Sequence, residues 1–293
     1  MALPPLDAGT GPVWATAFSP DGRLLATTDD AVRLWDPMTG APVTFLTGHT
    51  NIIWGVAFSP DGTRLATASH DGTGQLWELA TGRLVAPLIG HTDMVWGVAF
   101  SPDGRHLATA GQDGTVRLWH PGTGHPVAAL SGHAGPVYQV AFSPDSRMFA
   151  TAGQDRSVRL WDSTNGRLVG PPLVGHGDRV NEVAFSPDGR FLASASADHT
   201  AGLWTLTTWP PPCRLLRGHV DTVEGVTFSP DSRRLATTGH DGSVQLWDPA
   251  TALPIGDPLL GHADLVYRAS FSPDGHLLAT ASRDETTGLW AFL

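Results

Sequence analysis

The sequence contains no lysine. All of its basic residues are arginines, 18 of them against 28 Asp and Glu, for a net charge of −10. No arginine cluster offsets that balance, so a phosphate backbone should repel the chain and nucleic acid is not an expected partner. Arginine without lysine also points to a GC-rich, bacterial genome, because arginine codons are GC-rich and lysine codons are not. Cysteine is nearly absent too, with Cys213 alone. One thiol excludes an internal disulfide framework and fits a reducing cytoplasm. No apolar run approaches about 18 residues, so no membrane span is expected. The opening stretch, MALPPLDAGT, has neither a basic segment nor a long apolar run, and does not read as a signal peptide. Gly (34) and Pro (24), by contrast, are plentiful in the 293 residues, which predicts many turns and short strands.

A repeat organises the chain. The string FSPD begins at Phe18, Phe58, Phe100, Phe142, Phe185, Phe228 and Phe271. A Leu-Trp pair closes each unit, at Trp35, Trp77, Trp119, Trp161, Trp204, Trp247 and Trp290. Gly-His opens six of the units, at His49, His91, His133, His176, His219 and His262. In each of these an Asp follows the His by 22 residues: Asp71, Asp113, Asp155, Asp198, Asp241 and Asp284. Residues 51 to 89 show how a unit divides. IIWGVAF predicts strand a, and SPDG a tight turn, with Pro supplying a fixed φ and Gly a positive one. TRLATAS is strand b, GQLWEL strand c and RLVAPLI strand d. Strand d carries Pro87, Pro126, Pro171 or Pro258 in four units, which marks it as the outer edge of its sheet.

Gly-His, the FSPDG turn and Leu-Trp-Asp at about 42-residue spacing resemble the WD-repeat family over the whole chain. The resemblance implies an all-β fold, a single seven-bladed β-propeller over residues 1–293 with one four-stranded antiparallel blade per unit. The chain ends just after strand c of the seventh unit. Residues 2 to 6 stand in the strand d register and are expected to complete blade seven and close the ring. Pro4 and Pro5 limit the hydrogen bonds they can donate. Unit one should be the least regular, because Gly9 takes the His position and its b–c segment is two residues shorter.

His49, Ser69 and Asp71 could suggest nucleophilic catalysis. The same His-Asp spacing recurs six times, however, where an enzyme needs one site. Ser69, Ser196 and Ser282 also give way to Gly111, Gly153 and Gly239 in other units. The resemblance implies that these His, Ser, Asp and Trp residues form a structural network linking the d–a loop, the b–c turn and strand c. No enzymatic activity is expected. His70, His106, His120, His125, His199, His240 and His276 lack the spacing of a metal site and read as scattered surface residues. The FSPD aspartates read as turn caps rather than calcium ligands, and no phosphate-binding glycine loop is present. No cofactor is expected.

The residue four places before each FSPD Phe is Trp14, Trp54, Trp96, Tyr138, Asn181, Glu224 or Tyr267. Variation that reaches Glu argues for exposure, at least in units five and six. Strand a is innermost in a propeller, so this register should face the channel rim on the d–a side. Thr28, His70, Gln112, Gln154, Ala197, His240 and Arg283, each just before an Asp, share that face, with Arg179 on the same rim. Five of the six Trp and Tyr residues not used by strand c fall in this register, all but Trp209. Their units are adjacent around a closed ring, which predicts an aromatic arc, and apolar patches of that kind usually bind something. The competing expectation is that the rings pack over the mouth and over each other. These features together predict a non-catalytic, cytoplasmic, monomeric module that binds a protein or peptide on the d–a and b–c loop face. Bacterial WD-repeat domains of this kind are often fused to Ser/Thr kinases, which implies a scaffold or regulatory role in signalling. The alternative is a propeller that senses a small molecule or sugar with the same aromatics.

Overall fold

The computed structural model of the chain describes residues 2–7 and 11–292. They form seven four-stranded sheets. There is no helix among the described residues, and so none long and apolar enough to cross a membrane. Blade two is typical: strands Ile53–Phe58, Arg64–Ser69, Gly74–Glu78 and Arg83–Leu88 pair in sequence order as an antiparallel meander. The a strands touch their neighbours from blade to blade, and Ala15–Phe18 of blade one touches Val266–Phe271 of blade seven, so the circuit closes.

Composition explains the stacking. Strand b is buried on both faces, and Leu65, Ala66, Thr67, Ala68 and Ser69 are all inaccessible. Alternating Leu with Ala or Thr gives one face that protrudes and one that receives. The core is therefore divided among the junctions. Ala66, Ala68, Leu76 and Leu88 of blade two pack on Val95, Leu107 and Trp119 of blade three. A strand d leucine also reaches forward, nesting on a turn glycine of the next blade. A Cβ on Gly124 (φ +70) would lie 3.1 Å from Leu88 Cδ2, and one on Gly40 (φ +71) 3.2 Å from Leu6 Cδ2. Glycine is required there twice over, for the left-handed backbone and for the leucine's space.

The FSPD turns follow their expected chemistry. Ser59 Oγ donates to Asp61 Oδ1 at 2.5 Å, and Thr63 N donates to the same oxygen at 3.0 Å. In two turns Ser146 and Ser232 hold the left-handed position with φ 60 in place of Gly. Each hydroxyl accepts from the previous blade's turn, from Asp103 N and Asp188 N at 3.0 Å, which offsets the strain and links the turns.

Strand d departs from expectation in two blades. In blades four and six it shrinks to Leu173–Val174 and Leu253–Pro254, so Pro171 and Pro258 lie outside it, while Pro87 and Pro126 lie inside. In the seventh sheet the outer strand is Ala2–Asp7, antiparallel to Thr286–Ala291, with Leu3 opposite Leu289 and Leu6 opposite Thr287. Its register shifts between Leu3 and Leu6, where Pro4 and Pro5 supply no N–H. In blade one Asp29 pairs with Arg33 at 2.8 Å; Gly9, in the His position, lies outside the described residues.

Candidate functional site

The Gly-His residues build one network six times over. His49 Nδ1 meets Asp71 Oδ2 at 2.7 Å, and His49 Nε2 meets Thr67 Oγ1 at 2.7 Å. Trp77 Nε1 donates to that same hydroxyl at 3.3 Å. Thr109, Thr151, Ser194, Thr237 and Thr280 play the part of Thr67 in the other blades. Ser69, Ser196 and Ser282 join the network differently from expectation, with no hydrogen bond to the His or Trp. Ser69 Oγ donates to Ile52 O at 2.8 Å and accepts from Asp71 N at 3.1 Å, tying the b–c turn to the d–a loop. Ser196 and Ser282 make the same pair of bonds to Arg179 O and Asp198 N, and to Leu265 O and Asp284 N. Glycine substitutes in the other blades because the His approaches instead: a Cβ on Gly153 would fall 2.2 Å from His133 Nδ1. The missed hydroxyl had a signal, since it follows every Gly-His histidine by 18 residues.

Each hydroxyl is both donor and acceptor. It accepts from the Trp N–H and has its own proton to give to His Nε2, the arrangement in which the His ring carries its proton on Nδ1, toward Asp. The hydroxyls are fully buried, where no substrate reaches them. Burial holds His49, His91, His133 and His176 below their ordinary value of 6.5, against the pull of their Asp partners. Burial opposes the carboxylates as well, but hydrogen bonds from Thr286, Ala263 N and His262 outweigh it and hold Asp284 at about 2. Replacing His133 with Ala should cost roughly 1–3 kcal/mol, because Asp155 and Thr151 lose a buried partner. Replacing the exposed His125 should be nearly neutral. Equal losses in denaturant titrations would refute a structural role.

The pH dependence follows in sign. A histidine or carboxyl with a depressed folded pKa contributes stability that is present above its unfolded value and lost as pH falls through its folded one. The denaturation midpoint should fall first below pH 6.5, as the four histidines are forced to charge. It should fall again below about 4, as the repeat aspartates protonate. A midpoint unchanged from pH 7.5 to 5 would contradict the first stage.

At the channel mouth the predicted arc is continuous. Ring centroids are 4.6 Å apart for Tyr267 and Trp14, 4.5 Å for Trp14 and Trp54, 4.7 Å for Trp54 and Trp96, and 5.7 Å for Trp96 and Tyr138. All five are half-buried, so they pack on each other and still line the mouth. The two predicted registers meet within four of the blades. Trp96 Nε1 donates to Gln112 at 2.9 Å, Tyr138 OH donates to Gln154, His70 stacks near Trp54, and His240 Nε2 lies 3.3 Å from Glu224. Arg283 reaches Asp264 at 3.8 Å. Trp54 Nε1 and His70 Nδ1, where the partner is His instead of Gln, are buried without a hydrogen bond.

Two residues depart from expectation. Asn181 is buried, 5% exposed, and not open to solvent. Its amide bridges blades five and six: Nδ2 donates to Val223 O at 3.0 Å and to Glu224 Oε2 at 3.1 Å, while Oδ1 accepts from Arg179 Nε at 3.0 Å. Thr28 is buried too, its hydroxyl accepting from Ala15 N, so it does not share the face.

Beneath the rings lies a layer that sequence reasoning missed. Arg268 of blade seven reaches Glu182 of blade five at 2.7 Å, and Gln139 of blade four donates to Glu182 at 3.2 Å. Burial pushes the Glu182 carboxyl up, and Arg268 pulls it back. The signal was in strand a, three places before each Phe: Ala15, Gly55, Gly97 and Gly225 are small, and Gln139, Glu182 and Arg268 are long. A Cβ on Gly97 would stand 2.3 Å from Gln139 Oε1, so the small residues make room for the long ones. Above this layer the mouth is a cup of about 350 Å³, with the aromatic arc on one side, Arg179, Asn181 and Glu224 on the other, and Arg268 below.

Among the described residues no group of three or more His, Cys, Asp or Glu side chains could hold a metal. The Cys213 thiol is pushed up to about 12 by burial, which makes it a poor nucleophile.

No curated protein matches the chain. The family model described as WD domain, G-beta repeat matches seven times, over residues 5–36, 40–78, 82–120, 124–162, 169–205, 210–248 and 256–291. Such propellers are generally non-catalytic and act as protein-interaction scaffolds. With seven matched repeats and seven four-stranded blades, the chain belongs to the WD40 family.

Proposed function

We propose that this propeller is a non-catalytic interaction module that receives a protein or peptide segment at the channel mouth, on the d–a and b–c loop face. The observation that carries this reading is the unbroken arc of five aromatic rings along one side of the cup. Large rings at the centre of an interface act as anchors, and losing one often costs 2 kcal/mol or more of binding, about thirtyfold in affinity. Replacing Trp54 and Trp96 together with Ala should leave cooperative unfolding with a modest fall in midpoint, while capture of the natural partner is lost. If the double variant unfolds but its native fraction still binds normally, the rings are core and the site lies elsewhere. One feature favours the second reading, a small-molecule or sugar sensor. The cup has a floor, and about 350 Å³ suits a small ligand or a single side chain. Hydrogen-exchange protection that spreads to Gln154 and Arg283 on the rim indicates a protein segment; protection confined to the cup indicates a small molecule.

A further inference from the structure

The charge of the mouth narrows what it receives, granted that it is the binding face. Inside the cup the formal charges nearly cancel: Arg268 is spent on Glu182 at 2.7 Å, and Arg179 stands against Glu224. The rim does not cancel. Its d–a loops carry Asp93, Asp178, Asp221 and Asp264, and every b–c turn carries its repeat Asp. Among the described residues the only arginines in those loops are Arg156, Arg179 and Arg283, and Arg283 is already beside Asp264.

Strand c sharpens the asymmetry. Blades one, three and four place Arg33, Arg117 and Arg159 two residues before their Trp. Blades two, five, six and seven have Gln75, Gly202, Gln245 and Gly288 instead, so their repeat carboxylates have no arginine beneath them. Blades five, six and seven are consecutive, and they flank Glu224. Asn181 donates to Glu224 Oε2 and His240 Nε2 lies 3.3 Å from the same oxygen, so among the described residues both contacts fall on Oε2 and Oε1 faces a ligand. Tyr267 and Trp14 start the aromatic arc on the neighbouring side, and ring faces attract cations. A field of one sign around a low-dielectric cup steers the opposite charge into it.

We propose that the segment bound at the mouth presents a basic side chain, lysine or arginine, whose cationic end enters the cup between the Glu224 carboxylate and the rings of Tyr267 and Trp14. The rival ligand is a carboxylate, which would take Arg179 instead. That guanidinium lies 6.0 Å from the Tyr138 ring centroid and donates to Asn181, with Asp178 next to it in sequence. It offers an anion one partner under an acidic rim.

The test uses the full chain and four pools of degenerate nonapeptides. All flanking positions are uncharged, and the central residue is Arg, Lys, Leu or Glu. Binding is measured by fluorescence anisotropy at 20 and 150 mM salt. The Arg and Lys pools should bind at least tenfold tighter than the Leu and Glu pools and weaken as salt rises. Glu224→Gln should remove most of that advantage, and Trp54→Ala with Trp96→Ala should abolish binding. Tighter binding of the Glu pool, lost in the double Trp variant, overturns the basic ligand while the mouth remains the binding face. Basic-pool binding that survives the double Trp variant overturns both. Equal binding of all pools, or none, overturns the basic ligand.

Discussion

Deleting residues 1–8 should lower the thermal midpoint by several degrees and increase self-association. The outer strand Ala2–Asp7 is the fourth strand of a sheet whose other three come from the end of the chain. Leu6 is 6% exposed and packs with Val13, Leu25 and Trp35 of blade one and Ala279, Ala281 and Leu289 of blade seven. It thus fills the junction where the two ends of the chain meet. Burying one leucine is worth roughly 1.5–3 kcal/mol. Removing the strand also strips the ladder from Thr286–Ala291 and leaves a bare edge, a template for pairing with another chain. The point variant Leu6→Ala separates the two effects: it should cost about 2–5 kcal/mol with the ladder kept and without self-association. A truncated protein as stable and as monomeric as the intact one would show that this strand does not latch the ring.

The second large effect lies on the channel axis. Arg268→Met should cost up to about 3 kcal/mol, because Glu182 keeps its largely enclosed site and loses its cation. Gln139 and Val226 N still donate to Glu182, but they do not neutralise it. The loss should shrink as pH falls, since an uncompensated Glu182 becomes neutral on protonation. A group with a raised folded pKa contributes stability at low pH that is lost as pH rises through that value. Adding Glu182→Gln should restore much of the loss, and a double-mutant cycle measures the coupling. Additive losses would mean that the ion pair is ornamental to the ring.

These two regions differ in how far they could be read from sequence, and the difference is physical. The outer strand was legible because it obeys local rules: Leu6 stands three residues before Gly9, as Leu46 stands before His49 and Leu88 before His91. The aromatic arc was legible for the same reason, as one register of a strand whose direction the repeat defines. The Thr67 hydroxyl was overlooked although its spacing never varies, because LATAS reads first as apolar alternation. A buried hydroxyl in a strand looks like any small residue until its Trp and His partners are placed. Asn181 is harder to read, because a register that also admits Glu suggests exposure, while its amide is satisfied 42 and 43 residues away, across a junction. The axial layer is further still from local pattern. Glu182 finds Arg268 86 residues on, and although one register shows which blades carry long side chains there, no periodicity within a unit predicts which of them pair across the axis.

The leucine that nests on the next blade's turn glycine is the same device at four consecutive junctions, on Gly40, Gly82, Gly124 and Gly166, and it acts between neighbours only. Such joints carry no information about order: among the blades that have this turn glycine, one can follow another and find its seat. The axis is the reverse, a lock whose three wards, Gln139, Glu182 and Arg268, are cut on three different blades. A chain with its units shuffled would therefore still stack, blade on blade, and arrive at a centre where charges face glycines and the arc of rings is scattered. Duplication can manufacture a wall of this kind indefinitely, but the site at its middle has to be composed once, for one sequence of blades.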